Sequence, residues 1–128
     1  MRSIKQNVDV AQSLTPAVRT ASANGVAVDL LGYGSAMAIV NVGAIVASGD
    51  QTAKLQAGDQ SDGSDAADVT GADLDGAFTT PLAANSVQRV GYLGNKRYLR
   101  VVITHNSGTS VATGAVIARG NPKTSPVA

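Results

Sequence analysis

Apolar and polar positions alternate loosely from residue 2 to Pro16, with Ile4, Val8, Val10 and Leu14 separated by polar side chains. This pattern predicts an arm or an edge strand. Two β-prone runs follow, Ala17 to Ala23 and Val26 to Leu31, with Asn24-Gly25 between them. That dipeptide predicts a hairpin, because a tight two-residue turn needs φ > 0 at both central positions. Gly32-Tyr33-Gly34 reads as a turn. Beyond it, Ala36 to Val46 is rich in β-branched residues, and Gly43 would weaken a helix there, so this run is the expected central strand.

From Gln51 to Gly58, Thr52, Lys54 and Gln56 alternate with Ala53, Leu55 and Ala57, as in a strand with one wet face. Asp59, Asp62, Asp65, Asp68, Asp73 and Asp75 then fall among Gly and Ser, which predicts an extended connection over 59–75 with at most a short strand near Val69. Ser86 to Leu93 and Arg97 to His105 read as strands joined by Gly94-Asn95-Lys96, with Gly91 a candidate bulge. A last strand runs from Ala112 to Arg119, and Pro122 and Pro126 bar the tail from continuing the ladder. With the arm counted, about eight short strands are separated by turn signals. The expected fold is all-β, an antiparallel β-sandwich or jelly-roll-like barrel over 17–120, with extended arms at 1–16 and 121–128.

At 128 residues the chain has the usual size of one domain. Its 44% hydrophobic content argues against disorder, but one Phe, three Tyr and no Trp leave Ala and Val to build a thin core. Oligomerisation would supply further burial. All nine acidic residues are Asp, which favours turns over helix interiors. A net charge of +1 lacks the excess that draws a protein to nucleic acid or to an anionic membrane. No apolar stretch follows the basic N-terminus as a secretory signal requires. The most apolar run, Ser35 to Ser48, is shorter than the roughly 20 residues of a bilayer crossing. The absence of Cys excludes disulfides and thiolate metal sites.

Candidate chemistry is sparse, and no catalytic, cofactor or metal residues are assigned. His105 is the single His, and Ser107 and Ser110 beside it lie in a Gly-rich turn without a nucleophile elbow. The Asp cluster does not have the spacing of an EF-hand loop and reads as a solvated acidic loop rather than a cation site. No Gly-rich phosphate-binding or dinucleotide fingerprint occurs. Lys96, Arg97 and Arg100, with Arg89 before them and Tyr92 and Tyr98 nearby, resemble a nucleic-acid face. Strand alternation, however, divides their charge between two faces, and pairing with carboxylates of the acidic loop or of a neighbouring subunit is the simpler reading.

Three segments carry a family resemblance: Asp29-Leu30-Leu31-Gly32-Tyr33-Gly34-Ser35-Ala36, Val40-Asn41-Val42-Gly43-Ala44-Ile45, and Lys54-Leu55-Gln56 with the turn at 59–65. Residues 85–100 and the closing run Thr113-Gly114-Ala115-Val116-Ile117 continue it. Together they resemble small head proteins of tailed bacteriophages. The resemblance implies a capsid cement or decoration protein that lies on the capsid exterior, binds the major capsid protein and staples adjacent subunits, after assembly in the bacterial host cytoplasm. From the thin core, the small net charge, the lack of a spanning segment and the missing catalytic signature, the expectations are self-association as a dimer or trimer, no direct nucleic acid contact, no membrane and no enzymatic activity. The residues expected to meet the capsid or a sister subunit are Ile4, Val8 and Val10 of the arm together with Arg89, Arg97 and Arg100. The rival readings are a glycan-binding β-sandwich of a phage tail or cell surface, disfavoured by the few aromatic residues, and a small hydrolase without a nucleophile–base signature.

Overall fold

The structure, a computed structural model, describes residues 3–123. In chain order its strands are β1 (Asp9–Arg19), β2 (Ala23–Asn24), β3 (Val28–Asp29), β4 (Tyr33–Val46), β5 (Asp50–Gly58), β6 (Ala67–Asp68), β7 (Leu74–Asp75), β8 (Ser86–Tyr92), β9 (Tyr98–Ser107) and β10 (Ser110–Pro122). They form two antiparallel sheets with no α-helix among the described residues. The first has the order β1-β10-β4-β8-β7. In the second, of order β2-β9-β5-β6, β3 also pairs with β9. The fold is therefore an all-β sandwich. Four of the ten strands are two-residue bridges, which is why a count from sequence periodicity falls short.

The core lies between the sheets. Ala38, Val40, Val42, Val90, Val111 and Ile117 from the first sheet face Leu55, Leu99, Val101 and Ile103 from the second, all 2% exposed or less. Each of these positions alternates with an outward one along its strand, as the period-2 pleat requires. The central strand expected at Ala36–Val46 is β4, flanked by β10 and β8. The long connection after Gly58 carries the bridge β6 and a 3₁₀ turn at Gly71–Asp73, and it returns Leu82 to the core.

Three local expectations are corrected, while of the two readings of residues 2–16, arm or edge strand, the edge strand holds from Asp9 onward: β1 runs through Pro16 to Arg19 against β10. Pro16 is tolerated because register shifts between Gln12 and Leu14 and between Leu14 and Ala17 lift it out of the ladder. Asn24-Gly25 makes no hairpin, since β2 and β3 follow one another along the same edge of β9. Gly25 is needed there for close approach: a Cβ would lie 2.3 Å from Ser13 Oγ and 2.6 Å from the Val101 carbonyl. Gly91 pairs in regular register with Met37, so it is not a bulge. β10 extends to Pro122, opposite Tyr33, because proline at a strand's last position deprives no following residue of a ladder bond. Of the C-terminal tail assigned to 121–128, residues 124–128 lie outside the described residues, as do Met1 and Arg2 of the arm.

Candidate functional site

The groups with the most chemical potential are engaged in holding the fold. Fully buried Gln51 donates from Nε2 to the Arg19 carbonyl (2.9 Å) and to His105 Nδ1 (3.0 Å), and His105 Nε2 donates to the Gly108 carbonyl (3.2 Å). Both ring nitrogens are thus occupied, and neither meets Ser107 or Ser110 among the described residues. The acidic loop is built in the same way. Asp65 accepts the amides of Asp59 (3.0 Å) and Gln60 (3.1 Å), and Asp62 accepts that of Ser64 (2.9 Å) in an Asx turn. These amide bonds hold the carboxyls of Asp65 and Asp62 below the usual carboxylate range. Asp68 pairs instead with Gln56 and Lys54 on β5. Among the described residues, no three His, Cys, Asp or Glu side chains converge as a metal site would need.

The six residues expected at an interface separate into three places. Ile4 is exposed in the turn before β1, Val8 is half-buried behind it, and Arg97 stands at the same end of the sandwich. An ionic chain knits this end together: Asp9 pairs with Arg119, Arg119 donates to the Asp29 carbonyl (2.8 Å), and Arg97 grips the Asp29 carboxylate through two bonds of 2.9 Å. Tyr33 lies beneath the Arg119 guanidinium, 4.7 Å from ring centroid to Cζ. The Arg97 hydrogen bond holds the Asp29 carboxyl below its usual range, and the same bond shifts Arg97 further upward. Beside it, Lys96 pairs with Asp59 across the acidic loop. A polar cleft of about 360 Å³ opens here, lined by Leu31, Tyr33, Tyr92, Lys96, Arg97 and Lys123.

Arg100 lies elsewhere, on the outer face of the second sheet. Its guanidinium is fixed on Gln56 Oε1 and lies against the turn at Gly63. This face is otherwise polar, with Thr52, Lys54, Gln56 and Thr104 pointing outward. No arginine side chain forms the pairing expected with the acidic loop among the described residues; the neighbouring Lys96 does, with Asp59. Arg97 reaches Asp29 instead, and Arg100 binds an amide.

Val10 and Arg89 come together on the outer face of the first sheet, and this face is of a different kind. Strand register arranges it in rows: Asp75, Gly91, Met37, Ala118 and Val10 form one, and Arg89, Ile39, Val116 and Gln12 the next. Val87, Asn41 and Gly114 make a third, and Ala112 and Val18 a fourth. The small residues Gly43, Ala112 and Gly114 hollow the centre into an apolar groove of about 430 Å³. Val87 lines it, and Val10 and Val18 stand on the same face, each of the three more than half exposed.

Ile39, Val87, Ala112 and Val116 on this face were not singled out from sequence. The available signal was that β4 and β10 are apolar at both parities, a pattern that accompanies strands covered on both faces. Here only the inner face is covered.

No protein-family model matches the sequence, and no curated protein matches it. Among solved structures, the chain is similar to the crystal structure of SPBc2 prophage-derived protein YomS. The TM-score is 0.52 and the sequence identity 12%, over 88% of this chain and 95% of that chain. At this identity the likeness is one of fold.

Proposed function

We propose that this chain is a non-enzymatic structural protein of a tailed-phage particle, a cement or decoration protein on the capsid exterior that binds the major capsid protein. The observation that carries the reading is the contrast between its surfaces. Most of its charged side chains are spent on loops and ion pairs, while the outer face of one sheet is largely apolar and open. Such a molecule works by contact, and contact is the whole task of a staple. The prophage origin of a protein with the same fold and the resemblance of residues 29–120 to small head proteins support the same assignment.

In this reading the surfaces divide the work. The end bearing Ile4, Leu31, Arg97 and Lys123 presents exposed apolar side chains beside cations, the composition of an interface rim and core, and it meets the capsid. The apolar sheet face meets other molecules of the assembly. Many weak contacts repeated over a closed shell add by effective concentration, so each copy needs only modest affinity. The test is co-sedimentation of the full chain with expanded phage heads that lack it, beside a glycan array. Saturable binding to heads supports the reading. Binding to glycan without binding to heads replaces it with the surface-adhesion reading.

A further inference from the structure

We infer that the outer face of the β1-β10-β4-β8-β7 sheet is covered by the same face of a second copy of this chain, with each Arg89 meeting the partner copy's Asp75. The strands of this sheet carry five charged residues: Asp9, Arg19, Asp75, Arg89 and Arg119. Asp9 and Arg119 pair with one another, and Arg19 turns back on the Thr15 carbonyl. Asp75 and Arg89 are left, both exposed and both outward, in adjacent rows at the β7–β8 margin. They have opposite sign, and neither side chain makes a hydrogen bond or ion pair within the described residues. The face thus offers one cation and one anion on an otherwise uncharged apolar surface.

Charge of that kind is complementary to itself. In an isologous contact a residue i of one copy meets j of the other, while j meets i. A two-fold axis crossing the strands between the Arg89 row and the Gly91 row brings each guanidinium within reach of the other copy's Asp75, and it sets Ile39 and Val116 against the other copy's Met37 and Ala118. Sheets packed face to face in this way stand about 10 Å apart, room for one interdigitated layer of side chains. Edge pairing is the competing route to self-association. The free edge of β1 resists it, because two register shifts and Pro16 interrupt its row of donors and acceptors.

The contact is small and belongs to the class of weak, concentration-dependent association. Sedimentation equilibrium of the full chain, from low micromolar to near millimolar concentration, tests it. The expected result is a reversible dimer. Arg89→Asp or Asp75→Arg alone weakens it at least about tenfold, and the double exchange returns to within about threefold of the original constant, as reciprocal ion pairing requires. Val87→Asp, at a position 69% exposed in the single chain, dissociates the dimer without lowering the melting temperature of the monomer. A chain that stays monomeric throughout overturns the inference. So does an oligomer indifferent to both charge reversals and to Val87→Asp, and the face then belongs to a different protein. Neither result depends on binding to heads, so the dimer and the cement reading stand or fall separately.

Discussion

Removing the Ser13 hydroxyl isolates the most economical device in this fold. β2 ends at Asn24, opposite Val102, and β3 resumes at Val28, opposite Leu99, so the ladder along this edge of β9 is interrupted beside Val101. Three hydrogen bonds repair the gap. Ser13 Oγ accepts the Val101 amide (3.1 Å) and donates to the Val26 carbonyl (3.0 Å), while the Gly25 amide donates to the Val101 carbonyl (2.8 Å). Ser13 is 2% exposed and Val101 fully buried, so Ser13→Ala leaves the Val101 amide with neither partner nor water. An orphaned buried donor costs about 1–3 kcal/mol, whereas the carbonyl of exposed Val26 regains a water and adds little. The expected loss is about 2 kcal/mol. With a urea m-value of about 2 kcal/mol per molar, the midpoint falls by about 1 M at unchanged m. Tyrosine fluorescence and far-UV circular dichroism, read at one fixed protein concentration, measure it. A shift below about a quarter of that size would refute the claim that Ser13 completes the sheet.

Three further outcomes follow from the same packing. Gly25→Ala drives a Cβ to 2.6 Å from a backbone oxygen and is expected to cost about 3 kcal/mol by overpacking; a loss under about 1 kcal/mol would mean that residues 24–25 turn in open space, as a hairpin would. Ile117→Ala, at a fully buried position of β10, is expected to cost about 2–5 kcal/mol in the same urea assay, and a near-neutral result would place Ile117 outside the core. Asp29 has its folded pKa depressed by Arg97, so its contribution is complete above about pH 4 and is lost as pH falls through the folded value. Asp29→Asn should therefore flatten the acid limb of the stability profile. The effect is small, because the pair's side chains are 46% and 39% exposed and solvent screens them. A mutant profile as steep as that of the wild type between about pH 4 and pH 2 would contradict the assignment.

What could be read in advance followed from local physics. Periodicity located β4, β5, β8, β9 and β10, because each alternates toward one core or runs apolar between turn residues. What failed depended on contacts distant in sequence. Asn24-Gly25 carries a hairpin's chemistry, yet Gly25 is small because Ser13 and Val101 close on it. The ionic chain through Asp9, Arg119, Asp29 and Arg97 joins four separate segments, and no spacing rule links them. The apolar face was hidden for another reason. A strand that is apolar on both sides reads the same whether its second face meets its own chain or another molecule. Of the interface candidates, Val10 and Arg89 share that face. Ile4, Val8 and Arg97 share one end of the sandwich, and Arg100 lies on the outer face of the second sheet, held on Gln56 against the turn at Gly63.

The central claim is that this molecule stabilises an assembly by contact alone. Its most direct test is thermal disruption of expanded phage heads, scanned with increasing amounts of the full chain. A ligand that binds the assembled state and not its separated subunits raises the disruption temperature until its sites are filled. The account predicts that rise, saturating with occupancy. Full occupancy with an unchanged disruption temperature would contradict it.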